Sequence, residues 1–370
     1  MDRRHFLKSS GLAGLGLAAH GGHGATPNAE NAPTWRARWL DLLGPFPGEA
    51  PSLQPELRPA TPPVPGLQCF HVSFQAEPGD RVTAWLLMPE GREKTRGPAM
   101  VCPHSTTHGA GKDRIAGFAG ANPGDPPDPP ETSRAYGLEL ARWGYVTLSI
   151  DLICDGERVP EGLPPYNTQH FYERHPEWSA MGKIVWDIMR SIDFLETLDY
   201  VDPARIGCVG HSLGGQSTLF SAAFDRRIAA AVTNGGMLSW VRDTDHWARP
   251  PDPQGRSVHS WVYIPRFRPY IEDPSLEIPV DFEHLMMMAA PRPLLVMSSE
   301  GECAQHNTAA KVARAAAHYR KKEAGDAITL FTYPGGHNYP PAAKRLSFAW
   351  LDRWLGHTPA LPTIWPGKAV

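Results

Sequence analysis

Gly210-His211-Ser212-Leu213-Gly214-Gly215 decides how this chain reads. Its spacing is G-x-S-x-G, and a β-type run, Arg205-Ile206-Gly207-Cys208-Val209, leads straight into it. A helix-compatible stretch, residues 216–224, follows. Strand, sharp turn and helix together describe a nucleophile elbow, which lifts a serine hydroxyl clear of a sheet's edge. The N-terminus of the following helix favours negative charge beside that hydroxyl. Flanking glycines let the backbone turn tightly and approach its neighbours. Without these flanks the pattern is a glycine-rich turn with an incidental serine. With them, Ser212 reads as a nucleophile.

Working outward, strand-like and helix-like segments alternate. Upstream, residues 98–103 read as a short strand, 134–143 as a helix and 145–151 as a strand. Residues 180–198 form a long amphipathic helix with Ile184, Ile188, Ile192 and Leu195 on one stripe. Downstream come strands at 228–233 and 293–298, a helix at 308–322, a strand at 327–333 and a last helix at 341–355. Two earlier β-type runs, 69–74 and 82–88, flank the turn signal Glu77-Pro78-Gly79-Asp80 and read as an antiparallel hairpin. The alternation predicts an α/β fold: one eight-stranded, mostly parallel sheet with an antiparallel N-terminal hairpin and helices on both faces. A short helix at 34–43 is expected to pack Trp35, Trp39, Leu40 and Leu43 on the body, followed by a Pro-rich connector to about Leu67.

The stretch 237–290 is too long for an ordinary connection. It carries Trp240, Trp247, Trp261, Tyr263, Tyr270 and Met286 to Met288, and reads as an insertion that shapes a pocket.

The 370 residues are 41% hydrophobic and 20% charged, the balance of a core-forming globular chain. A net charge of −3 argues against a nucleic-acid surface, and no apolar run is long enough for stable membrane insertion. Arg3-Arg4-His5-Phe6-Leu7-Lys8, followed by the mildly apolar run 11–19, reads as a twin-arginine export signal. Residues 1–32 are therefore assigned to signal and linker, and 33–370 to one domain. The twin-arginine translocation machinery becomes an expected partner, and the expected location is periplasmic or secreted. The five cysteines, at 69, 102, 154, 208 and 303, show no metal-ligand spacing, and a domain of this size needs no disulfide.

A serine hydroxyl needs a base within hydrogen-bond reach, and the base needs a carboxylate to fix its tautomer. On a fold of this kind the order is serine, acid, histidine. Tyr333-Pro334-Gly335-Gly336-His337-Asn338 follows the last strand and makes His337 the base. Ser298-Ser299-Glu300-Gly301-Glu302 follows the strand before it. Glu302, further into that loop, is the preferred acid, and Glu300 is the alternative. The oxyanion needs preorganised N–H donors. Leu213, after the nucleophile, supplies one; Thr106, with Ser105 as alternative, supplies the other from the loop after the 98–103 strand. His104 reads as a structural histidine of that loop, and His108 either lines the pocket or lies on the surface. In Asp155-Gly156-Glu157-Arg158, an internal Glu–Arg pair is expected to hold the loop. No metal or cofactor is implied.

With these residues in place the chain resembles the α/β-hydrolase superfamily, and within it the acetyl xylan esterase and dienelactone-hydrolase-like branch. The resemblance spans about residues 35–357. It is carried by the elbow, Asp155-Gly156-Glu157-Arg158, Val201-Asp202-Pro203-Ala204-Arg205-Ile206-Gly207, Tyr263-Ile264-Pro265 and Ala290-Pro291-Arg292-Pro293. It implies a nucleophile at Ser212, an acid at Glu302 and a histidine at His337. Three departures stand out. The usual His-Gly of the oxyanion loop is His104-Ser105, the usual aspartate is glutamate, and Cys303 stands where proline is common. The implied activity is hydrolysis of a carboxylic ester, small or carbohydrate-borne, outside the cytoplasm. A prolyl-oligopeptidase-like peptidase and an inactive hydrolase-fold binder are the alternatives. Against the first, no propeller-length repeat precedes the domain.

Overall fold

The computed structural model describes residues 32–238 and 262–359. The twin-arginine segment and Trp240, Trp247 and Trp261 lie outside the described residues.

Among the described residues, nine strands form one sheet in the order β1-β2-β3-β5-β4-β6-β7-β8-β9. They are β1 Glu56–Ala60, β2 Leu67–Glu77, β3 Asp80–Pro89, β4 Gly97–Pro103, β5 Val146–Ile150, β6 Val201–His211, β7 Ala230–Asn234, β8 Leu294–Ser299 and β9 Ile328–Tyr333. The first three run antiparallel, β3 meets β5 antiparallel, and β5 to β9 with β4 are parallel. Eight strands were expected from the sequence, and β1 is the addition. It lies in the segment read as a connector, and its exposed Glu-Leu-Arg-Pro-Ala carries no alternating pattern. Pro59, with no N–H to donate, is tolerable on this edge strand.

The parallel strands β4, β5, β7 and β8, and β6 from Ile206 onward, are buried on both faces, and successive residues feed two cores, while the edge strand β9 is half-exposed. On β4, Ala99 and Val101 join the core formed with helices Ala180–Glu196 and Leu213–Phe224. Met100 and Cys102 point to the other face, toward helices Tyr136–Trp143 and Pro341–Leu355. Helix Ala180–Glu196 starts where Ser179 accepts the Gly182 N–H at 2.9 Å, and Ile184, Ile188, Ile192 and Leu195 are fully buried. Trp39 and Leu43 of helix Ala32–Leu43 pack into the same core. In the described part of the insertion, Tyr263 and Met286 are buried in that core too. Met286 belongs to helix Phe282–Ala289, opened by a capping box at Asp281. All five cysteines are free thiols, and burial pushes the Cys208 thiol up to about 12. Among the described residues, no helix is long and apolar enough to cross a membrane.

Two buried ionic clusters hold the loop after β5. The expected Glu157–Arg158 pair does not form. Lys112 Nζ lies 2.6 Å from Glu157 and 2.7 Å from Asp151, while Arg158 bonds Asp187 at 2.7 Å and Asp80 at 2.8 Å. Adjacent residues on this loop point to opposite sides, so each finds its partner on a different element. Asp151, fully buried, also accepts the Lys112 N–H at 2.8 Å and the Thr83 hydroxyl at 2.7 Å. Burial opposes the charge on Lys112, but Asp151 and Glu157 outweigh it and raise its pKa. The resulting stability is whole below the ordinary lysine value of 10.5 and is lost as pH climbs through the raised one. Lys112→Met leaves Asp151 buried and uncompensated. It should cost about 3–5 kcal/mol, read as a lowered denaturant midpoint. An unchanged midpoint would mean that the cluster carries no stability.

Candidate active site

β6 ends at His211, and helix Leu213–Phe224 begins two residues later. Ser212 makes the turn alone, at φ 57° and ψ −123°. A non-glycine residue held at positive φ stores about 1–3 kcal/mol. Two bonds hold Ser212 in place: its N–H donates to Asn234 O at 2.8 Å, and its carbonyl accepts the Gln216 N–H at 2.9 Å. The flanking glycines are steric necessities. A Cβ on Gly210 would sit 2.2 Å from the Gly214 carbonyl, and one on Gly214 would sit 2.2 Å from Pro103 O. The second contact presses the elbow against the end of β4, where the loop with Ser105 and Thr106 starts.

Ser212 Oγ lies 2.7 Å from His337 Nε2, and His337 Nδ1 hydrogen-bonds Glu302 Oε1. Three loops at the C-terminal edge of β6, β8 and β9 thus bring together the serine, the histidine and the preferred carboxylate. Glu302 stands in the first turn of a short helix, Glu300–Gln305, which the sequence reading had treated as loop. The missed signal is Ser299-x-x-Glu302, a capping pattern. Ser299 Oγ accepts the Glu302 N–H at 3.3 Å and lies 3.0 Å from Glu302 Oε2. Burial alone would raise the Glu302 carboxyl, but the His337 hydrogen bond, the His337 charge and Ser299 prevail and lower it. Glu300 is exposed at the first position of the same helix and does not join the group.

Further contacts that are not legible in the sequence support the histidine loop. Asn234, the last residue of β7, donates through Nδ2 to His211 Nδ1 at 2.8 Å and to Asn338 O at 3.0 Å. Tyr333 OH lies 2.7 Å from both Asn234 Oδ1 and Asn338 O. The residue following His337 is therefore anchored from beneath. An imidazole that accepts at Nδ1 carries its proton on Nε2. His211 is neutral: burial first, then Arg134 and His337, holds its pKa well below the ordinary histidine value. Its ring lies against that of His337, tilted by 36° with the centroids 4.8 Å apart. Arg134 Nη2 donates to the His337 carbonyl at 3.2 Å. The available signal was position: Asn234 lies at the end of the strand beside the elbow strand. Asn234→Asp keeps the shape but loses both donors. It should lower kcat by about 100-fold, the scale of a 1 Å misplacement, with little change in KM. Unchanged kcat in a folded variant would dismiss the anchor.

The Leu213 N–H, at the first position of its helix, has no intrahelical acceptor. Across from it, Ser105 is buried and Thr106 exposed. The next N–H, of Thr107, is taken by the Tyr166 hydroxyl. His104 is fully buried, with Nδ1 2.7 Å from Ser105 O and Nε2 accepting the Leu152 N–H at 3.0 Å, a structural arrangement. His108 is exposed.

A family model described as "Glucuronyl esterase, fungi" matches residues 165–322, under half of the chain. The match includes Ser212 and Glu302 and stops before His337. The carbohydrate esterase MZ0003, from an unknown prokaryotic organism, is 26% identical over 184 residues, 44% of this chain and 40% of that protein. The chain thus spans less than half of that relative's length. The glucuronoyl esterase from Solibacter usitatus superposes with a TM-score of 0.65 at 18% identity, over 87% of this chain and 91% of that one. The acetyl xylan esterase from Paenibacillus sp. R4 does so with a TM-score of 0.51 at 16% identity, over 88% and 94%. The two superpositions are likenesses of fold. The chain shares the α/β-hydrolase fold of glucuronoyl and acetyl xylan esterases.

Proposed function

We propose that this protein is an exported serine esterase acting on carbohydrate esters, glucuronoyl or acetyl, through a Ser212–His337–Glu302 triad. The observation that carries the reading is the continuous hydrogen-bonded chain from Ser212 Oγ through His337 to Glu302. Ser212 Oγ attacks the ester carbonyl while His337 Nε2 takes its proton. Glu302 holds the Nδ1–H tautomer and offsets the imidazolium charge. The Leu213 N–H and one N–H from Ser105 or Thr106 receive the oxyanion, each donor contributing about 2.7–4 kcal/mol. The tetrahedral intermediate collapses, His337 protonates the leaving alcohol, and an acyl-enzyme remains on Ser212. Water then attacks the acyl carbon with His337 as base and releases the acid.

The His337 side chain is 44% exposed, which suits a bulky, polymer-borne ester better than a deep slot would. The matched family description and the carbohydrate esterases of the same fold support a sugar ester. Arg3-Arg4-His5-Phe6-Leu7-Lys8 supports export by the twin-arginine route to the periplasm or beyond. The test is a panel of methyl glucuronate, acetylated xylose, aliphatic nitrophenyl esters and peptide anilides. Turnover of a sugar ester with none of the anilides is expected. Cleavage of anilides alone, or of nothing by folded protein, would overturn the reading.

A further inference from the structure

A cavity of about 410 Å³ opens at the far rim of the sheet, where β4 and β6 begin. Arg205 stands seven positions before Ser212 along an extended strand, so the cavity lies roughly 20 Å from the elbow. Three guanidiniums, of Arg92, Arg96 and Arg205, and the imidazole of His357 line it. Among the described residues, the arginines bond only backbone carbonyls. Arg92 reaches Thr95 O and Pro98 O, Arg96 reaches Val201 O, and Arg205 reaches Leu355 O and Gly356 O. Each guanidinium has five N–H donors, so most remain unused. Burial, and then the nearby Arg205 charge, pulls the Arg92 pKa down. The His357 imidazole is already paired with Asp352 Oδ1 at 2.8 Å, but the three guanidiniums have no carboxylate partner among the described residues, and like charges gathered in a concavity favour an anion between them. The one acid on the lining, Glu90, is exposed.

We propose that this cavity is a second, non-catalytic binding site for a sugar-sized ligand bearing a compact oxyanion, a carboxylate or a phosphate. The volume falls within the range of small-molecule sites and exceeds what a bare ion needs. Planar guanidiniums match either oxyanion in a paired, two-bond geometry. The site does not depend on the esterase reading, and its ligand need not be an ester.

Calorimetric titration of the full chain with glucuronate, glucose 6-phosphate, inorganic phosphate and glucose tests this. Binding of glucuronate or glucose 6-phosphate is expected, and whichever binds identifies the oxyanion. Glucose should not bind. Arg96→Gln, an exposed position with one backbone bond, should weaken binding by roughly 10-fold. Glu90→Gln should tighten it by removing the one opposing charge. Ester turnover should be unchanged in both variants. No binding of either anionic sugar, equal binding of glucose, or affinity indifferent to Arg96→Gln would overturn the proposal. Binding of inorganic phosphate as tight as that of the sugars would overturn the sugar-sized ligand.

Discussion

Ser212→Ala is expected to lower kcat on every ester substrate by about 10⁵–10⁶-fold, with KM and the unfolding midpoint near those of the parent. The size follows from what the substitution removes. On the proposed mechanism no acyl-enzyme can form without Oγ, and His337 Nε2 loses the hydroxyl that lies 2.7 Å from it. What stays is the oxyanion donors and the binding surface, which alone still accelerate hydrolysis by roughly 10³–10⁴-fold over water. The fold should not suffer. Ser212 makes its structural bonds through the backbone, to Asn234 and Gln216, and alanine keeps both. Kinetics and a denaturation curve on the same preparation check both halves. A residual rate within tenfold of the parent would mean the nucleophile lies elsewhere.

Glu302→Gln should cost roughly 10³–10⁴-fold in kcat, while Glu300→Gln leaves it within about twofold. The two carboxylates stand two residues apart, yet their surroundings separate them. Glu302 is bonded to His337 and Ser299, whereas Glu300 is exposed. An amide at 302 cannot balance the imidazolium and can turn its NH₂ toward Nδ1, favouring the wrong tautomer. The pH dependence has a definite sign. Because the Glu302 carboxyl is lowered below its ordinary 4.5, its ionised form persists under acidification through that value. The His337–Glu302 interaction is lost only as pH falls through the lowered value. Steady-state kinetics on the two glutamine variants checks the assignment. Equal losses would leave the acid unassigned.

The fold was legible where the chain repeats a period. Ile184, Ile188, Ile192 and Leu195 mark one buried helix face, and the apolar runs of β4, β6 and β8 mark strands covered on both sides. β1 was not legible, because an exposed edge strand carries no alternation. The juxtaposition of Ser212, His337 and Glu302 was legible because each follows the end of a strand in a fixed order along the chain. Their supports were not. Asn234 and Arg134 touch the histidine loop from elements far away in sequence, and nothing near them in the chain announces the contact. The Glu157–Arg158 expectation failed for the same reason. Neighbours in sequence were paired on paper, while the folded loop sends one to Lys112 and the other to Asp187.

The central claim is that His337 and Glu302 activate Ser212 as a covalent nucleophile. Intact-mass analysis with a fluorophosphonate, followed by peptide mapping, tests it most directly. One adduct per chain is expected, located on Ser212, absent in Ser212→Ala and strongly slowed in His337→Ala. An adduct on another residue, or labelling at parental rate without His337, would contradict it.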